Sequence, residues 1–120
     1  TNVIIIINQI DDIFLLNYIP ALLKGSTRSV TFLVRTSNSH PDYKQIMITL
    51  HEFIAHTPQA TILSERDLTP SLFHGYSLML VSYGTWNEIS ITRKEALHRM
   101  PSTLILREQS KQKEKTEIQA

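Results

Sequence analysis

The segment Tyr76–Trp86 reads YSLMLVSYGTW, an unbroken apolar run that ends abruptly in small polar residues. This pattern is typical of a parallel β-strand that is covered on both faces. We therefore expect this segment to supply a strand in the middle of a sheet, with the rest of the chain arranged on either side of it.

Four other segments predict strands of the same sheet. The run VIIII at Val3–Ile7 is β-branched throughout and lacks polar alternation, which again indicates a strand buried on both faces. The runs Val30–Val34, Ala60–Leu63 and Ser102–Leu106 are also apolar and are bounded by polar residues. The sequence thus predicts five strands.

A helix is expected after the first strand, with Asp11 or Asp12 as its cap. Apolar residues recur at helical spacing between positions 14 and 23, and Gly25 is the expected C-terminal stop. Pro20 lacks a backbone donor and should kink or shorten this helix.

The clearest helical pattern follows the second strand, where Ile46, Leu50 and Phe53 belong to a one-sided apolar stripe. Ser39 and Asp42 are spaced as an imperfect capping box with a proline between them, so the helix should begin there.

Two further helical segments are predicted. Residues Leu68–His74 suit at most a turn or two of helix, whereas Thr92 and Glu95 form a capping box that opens a narrow apolar stripe ended by Pro101.

Strands that alternate with helices predict an α/β fold: a three-layer open, mostly parallel five-stranded sheet with helices on both faces, of flavodoxin-like or Rossmann-like type. The domain should span residues 1–107, and the charged residues 108–120 should form a flexible tail or linker. Because the chain begins at Thr1, we expect it to be an excised piece of a larger protein.

Composition limits the classes of function. A chain of 120 residues with 42% hydrophobic and 19% charged residues is typical of one globular domain. The net charge of +1 gives no field that would attract nucleic acid. No run approaches the roughly 20 apolar residues that span a bilayer, and cysteine is absent. We expect a cytoplasmic protein without membrane insertion.

In open α/β sheets, ligands bind beyond the carboxyl ends of the strands, so polar residues that follow the apolar runs are the candidates. They are Asn8, Asp11, Asp12, Arg35, Thr36, Ser37, Glu65, Asp67, Ser82, Tyr83, Gly84 and Arg107. From these we select a candidate ligand-binding set. It consists of Asp11, Asp12, Arg35, Ser82, Tyr83 and Gly84. The alternative is that such residues only cap helices and strand ends.

No complete signature for catalysis, a metal or a cofactor is present. His51 and His56 are five positions apart, whereas a helical zinc motif needs four. The three glycines stand alone, and no serine lies in a nucleophile elbow. We predict no catalytic residue, no metal and no cofactor, and we expect a binding module in preference to an enzyme.

Two aromatic residues beside the same strand end have two interpretations. Tyr83 and Trp86 could form a contact surface for a partner protein. Alternatively, Trp86 packs beneath the helix that follows.

The spacing of Val30–Val34 and Tyr76–Ser82 resembles that of the first and third strands of response-regulator receiver domains. In that resemblance Ser82 stands at the phosphoacceptor aspartate, and Arg35 and Thr36 stand at the acidic pair. The resemblance therefore implies a degenerate receiver, or pseudo-receiver, that is not phosphorylated, because phosphotransfer needs a carboxylate nucleophile and acids that hold magnesium.

Three strand orders remain open. In the first, Val3–Ile7 is the last receiver strand moved to the front of the chain. In the second, the receiver begins at Val3 and uses Asp11 and Asp12 as its acidic pair. In the third, a Rossmann-like order makes Val3–Ile7 the central strand.

The leading functional prediction is a non-catalytic, receiver-like interaction or regulatory module in two-component signal transduction, for example in a hybrid sensor kinase. Its partners would be other domains of the same protein or another signalling protein. The alternative is a nucleotide-, sugar- or phosphate-binding half-domain of a transferase.

Overall fold

The fold is built on one parallel sheet, and the expected α/β class is confirmed. The computed structural model describes residues 2–24, 28–64, 66, 75–88 and 102–107. Its strands are β1 (Asn2–Ile7), β2 (Ser29–Val34), β3 (Ala60–Ser64), β4 (Leu78–Ser82) and β5 (Ser102–Leu106). All neighbouring strands pair in parallel. Each of the five predicted apolar runs therefore forms a strand.

The strand order is β3-β2-β1-β4-β5, so β1 occupies the middle of the sheet. The prediction that Tyr76–Trp86 supplies the middle strand is wrong, because β4 lies one position away, between β1 and β5. Ile5 of β1 pairs with Phe32 on one side and with Leu80 on the other. This is the Rossmann-like alternative, and it differs from the flavodoxin-like order of receivers, in which the second strand lies at the edge.

The first helical segment combines two helix types. A 3₁₀ helix runs over Ile10–Tyr18 and continues directly into α1, Ile19–Leu23. At the junction, the Ile19 N–H donates to the Leu16 carbonyl, three residues back. Pro20 has no N–H and is tolerated in the first turn of α1, where such a donor is not needed. Pro20 thus lies where the 3₁₀ helix passes into α1, and the expected kink or shortening stays a prediction.

Helix α2 spans Tyr43–Ala55 and confirms the clearest helical prediction, with Ile46 and Leu50 fully buried. The predicted capping box is wrong. Asp42 is the N-cap residue but makes no side-chain cap, and the Ser39 hydroxyl lies 2.9 Å from the Ser37 hydroxyl. The third described α-helix, α3, spans Tyr83–Glu88 and directly follows β4.

Alternate side chains of the strands build two apolar clusters, one on each face of the sheet. On the first face, residues such as Ile5, Phe32 and Leu80 pack with Leu15 of the 3₁₀ helix and with α1 and α2. On the second face, Ile4, Ile6, Leu33, Met79 and Val81 pack with Trp86 of α3 and with Tyr76. Helices therefore pack on the first face, and the expectation of helix layers on both faces stays a prediction.

Several expectations fall outside the described residues. They are the helix stop at Gly25, the strand-end acids Glu65 and Asp67, the turn at Leu68–His74, the helix from Thr92 to Pro101 and the tail at 108–120. Within the described part of the chain, no helix combines the length and the apolar composition needed to cross a membrane.

Candidate functional site

The carboxyl ends of β1, β4 and β5 meet at one edge of the sheet. The chain runs outward from β1 through β2 to β3 on one side, and then from β4 to β5 on the other. The strand order therefore reverses between β1 and β4, and this topological switch point is where open α/β sheets form their binding crevice. The segments after these three strands form the crevice here.

A buried carboxylate fixes the walls of this crevice. Asp12 is 0% exposed, and its Oδ2 accepts the backbone N–H groups of Asn8 at 2.8 Å and Gln9 at 3.1 Å. From the other side, the hydroxyl of Ser82 donates to Oδ1 at 2.5 Å and that of Thr85 to Oδ2 at 2.7 Å. Oδ2 therefore accepts three hydrogen bonds and Oδ1 accepts one, and the carboxylate joins the end of β1 to the β4–α3 turn.

Ser82 has a second role as the N-cap of α3. Its Oγ accepts the Thr85 N–H at 3.1 Å, which satisfies one of the free donors of the first helical turn. The sequence analysis missed α3, because Tyr-Gly-Thr-Trp-Asn-Glu has no apolar periodicity and contains Gly84. The sequence feature that could have predicted α3 is Ser82, because a serine at a strand end, three residues before Thr85, is a typical helix N-cap.

The rim of the crevice carries a stacked pair of side chains from neighbouring strands. Ser82 and Leu106 are the last residues of the β4–β5 ladder that face each other, so Tyr83 and Arg107 emerge side by side. The Arg107 guanidinium carbon lies 3.9 Å from the centroid of the Tyr83 ring. Tyr83 is 43% exposed, and Arg107 is also exposed. This cation–π contact holds the guanidinium at the mouth of the crevice.

The crevice contains a cavity of about 270 Å³ that is open to solvent. Five of the six residues in the candidate ligand-binding set line this cavity: Asp11, Asp12, Ser82, Tyr83 and Gly84. The other lining residues are Gln9, Phe14, Leu106 and Arg107. Their binding role stays a prediction, but the structure does bring the five together around one space.

The sixth residue, Arg35, does not line this cavity. It follows β2, which lies on the far side of β1, and its backbone N–H donates to the Ile7 carbonyl at 2.8 Å. A residue that follows β2 cannot reach a crevice between β1, β4 and β5 as directly as one that follows those strands.

Of the two aromatic residues considered as a contact surface, only Tyr83 is exposed. Trp86 is 8% exposed and packs against Ile4, Met79 and Val81 on the second face of the sheet. The prediction that Trp86 is an interaction residue is therefore wrong, because an indole buried in the core offers no surface to a partner.

The residues at the crevice differ in what they can offer a ligand. Asp12 and Ser82 are occupied by each other. Asp11 is exposed and makes no hydrogen bond or ion pair with a described residue. Across residues 2–24, 28–64, 66, 75–88 and 102–107, no three histidine or acidic side chains converge as a metal site. The groups that can engage a ligand are therefore Asp11, the Gln9 amide, the Tyr83 ring and Arg107.

These features define a Rossmann-like α/β domain with a preformed polar crevice at its topological switch point. Comparison with protein-family models, with curated proteins and with solved structures gives no match for this chain.

Proposed function

We propose that this domain binds a small organic ligand in the crevice between the ends of β1, β4 and β5. The observation that carries the proposal is the open cavity at the point where the strand order reverses, the place where this class of sheet binds its ligands. The proposal assigns binding to the domain and assigns it no reaction.

The buried network around Asp12 supports this proposal because it makes the crevice rigid. Two backbone N–H groups and two hydroxyls from separate segments converge on one carboxylate. A wall that is ordered before the ligand arrives loses little conformational entropy on binding. The Asp12 and Ser82 side chains at the cavity are thus held in place by contacts that a ligand need not supply.

The size of the cavity favours a compact ligand. A volume of about 270 Å³ lies just below the roughly 300–1,000 Å³ that is typical of small-molecule sites. A monosaccharide or nucleoside derivative suits such a space better than a dinucleotide. Of the two sequence-based predictions, the nucleotide-, sugar- or phosphate-binding half-domain is therefore the one that the geometry favours.

An amide chemical-shift titration of the ¹⁵N-labelled domain tests the proposal. The probes are ribose 5-phosphate, glucose 1-phosphate, adenosine monophosphate and their uncharged parents. We expect saturable shifts confined to Asp11, Ser82, Tyr83 and their neighbours. A spectrum that none of these probes changes at the crevice would overturn the proposal.

A pair of glycine variants supplies the control. Gly84 lines the cavity, and among the described residues an added Cβ would meet the Gln9 side-chain amide, at 3.2 Å. At Gly75, an added Cβ would meet no described atom within 4 Å. Gly84→Phe should fill the cavity and abolish the shifts, whereas Gly75→Phe should leave them intact.

Exposed apolar side chains on β5 support a second candidate, the non-catalytic regulatory module of a cytoplasmic signalling protein. Leu104 and Ile105 are 47% and 40% exposed and, as consecutive strand residues, lie on opposite faces. They would contact another domain or a signalling partner. For this candidate, titration of the crevice with small ligands gives no shifts, and Leu104→Lys weakens the contact with the partner domain.

A further inference from the structure

The pair formed by Arg107 and Tyr83 carries an inference about the chemistry of the ligand. We propose that Arg107 is the anion receptor of the crevice and that the ligand is a phosphorylated polyol or sugar. This inference rests on the proposed function, because it names the ligand class of the same site.

The contacts of the Arg107 guanidinium leave it available to an anion. Its contact within the described part of the chain is the face of Tyr83, and no described carboxylate pairs with it. Stacking on a ring leaves the N–H groups at the guanidinium edge available. Arginine binds phosphate and carboxylate through two parallel hydrogen bonds, a geometry that lysine cannot reproduce. The guanidinium is thus oriented for an anion, and no carboxylate of the described residues neutralises it.

Tyr83 supports Arg107 by restricting its rotamers. An arginine side chain loses rotamer freedom when it is fixed, and the contact at 3.9 Å with the Tyr83 ring causes part of that loss before the ligand binds. Tyr83 is in this sense a positioning residue. A ring at this position is needed, and the phenolic hydroxyl is not.

Asp11 indicates what the rest of the ligand carries. An ionised carboxylate only accepts hydrogen bonds and repels a second anion. Asp11 lines the same cavity as Arg107, so the ligand should place its anion at Arg107 and hydroxyl donors at Asp11. The Gln9 amide can bond further hydroxyls, and Phe14 offers an apolar surface to a carbon skeleton. A phosphorylated polyol has all of these features, while inorganic phosphate has only the first.

The test compares ribose 5-phosphate, ribose and inorganic phosphate by chemical-shift titration in a low-salt buffer free of phosphate. We expect ribose 5-phosphate to bind at least tenfold more tightly than either ribose or inorganic phosphate. Arg107→Gln should remove that preference, and Arg107→Lys should restore only part of it. Lys44→Gln is the matched control, because Lys44 is an exposed cation on α2 away from the crevice.

The Tyr83 variants separate a positioning role from a simple packing role. Tyr83→Phe keeps the ring and should bind like the wild type, whereas Tyr83→Leu should weaken ribose 5-phosphate binding by about 2- to 5-fold, the equivalent of an exposed cation–π contact. The preference for ribose 5-phosphate over ribose should fall in Tyr83→Leu and not in Tyr83→Phe. A Tyr83→Leu variant that weakens the binding of ribose and of ribose 5-phosphate by the same factor would overturn the positioning role.

The failure of this inference is distinguishable from the failure of the proposed function. If ligands shift the crevice amides and Gly84→Phe abolishes those shifts, but Arg107→Gln changes no affinity, the anion receptor is overturned and the binding site stands. If ribose binds as tightly as ribose 5-phosphate, the phosphorylated ligand class is overturned. If no probe shifts the crevice, both proposals fall together.

Discussion

Two adjacent carboxylates show how strongly the role of a residue depends on its place in the fold. Asp11 is exposed and lines the cavity, while Asp12 is fully buried and accepts four hydrogen bonds. The prediction that Asp11 or Asp12 caps the helix is wrong, because the N-cap is Gln9 and both aspartates lie in the first turn. The Asp12 carboxylate accepts the Gln9 N–H and the Ser82 and Thr85 hydroxyls, whereas Asp11 is exposed.

We therefore expect Asp12→Ala to lower the free energy of unfolding by about 3 kcal/mol, because two N–H groups and two hydroxyls lose their acceptor in a buried setting. Asp11→Ala is the control and should change it by less than about 0.5 kcal/mol, as is usual for an exposed residue. Urea denaturation of the two variants measures the difference. Equal losses of stability would contradict the assignment of Asp12 as the structural member of the pair.

The candidate site was predictable from sequence where its residues directly follow neighbouring strands. Asp11 and Ser82 meet because β1 and β4 are adjacent, and Arg35 is excluded because β2 lies on the other side of β1. Gln9 is a polar residue that follows β1 and was predictable by the same rule, whereas Phe14 was missed because it reaches the cavity only through the path of the 3₁₀ helix. No periodicity in the sequence encodes that path.

At the scale of elements, the strands were predictable and the short helix α3 was not. The apolar runs of β1, β2 and β4 predict buried strands well, because a parallel sheet needs apolar side chains on both faces. By contrast, α3 depends on contacts between distant segments: the Ser82 cap is itself held by Asp12, and Trp86 is held by the second face of the sheet. Local sequence carries little of that information.

β4 lies inside the sheet and β5 at its edge, so a charged substitution should lower stability by different amounts in the two strands. Val81 on β4 is 0% exposed and Leu104 on β5 is 47% exposed. Val81→Asp would bury an unpaired carboxylate and should cost about 4 kcal/mol or more, enough to unfold a domain of this size. Leu104→Asp should cost about 1 kcal/mol, because its side chain already contacts water. Melting temperatures measured by circular dichroism distinguish the two, and a near-normal value for Val81→Asp would contradict the interior position of β4.

At the scale of the whole molecule, strand order was the property that sequence left open. The runs in β1 and β4 are both apolar, and either could have been central. The order depends on which way each crossover turns along the sheet, and right-handed crossovers permit an extension from either edge of the growing sheet. The observed strand order places β1 at the centre of the sheet. This position creates the switch point between β1 and β4, on which the proposed site depends.

Native-state hydrogen exchange tests this order across the molecule. A central strand opens only when the domain unfolds, whereas edge strands also exchange through local opening. We expect the amides of Ile4, Ile5 and Ile6 to exchange with the free energy of global unfolding, and those of Leu63 on β3 and Ile105 on β5 to exchange faster. In the permuted receiver order, Val3–Ile7 would instead lie at an edge. If β1 amides exchanged as fast as those of β3 and β5 while β4 stayed protected, β1 would be an edge strand, and the crevice between β1 and β4 would not exist as a site.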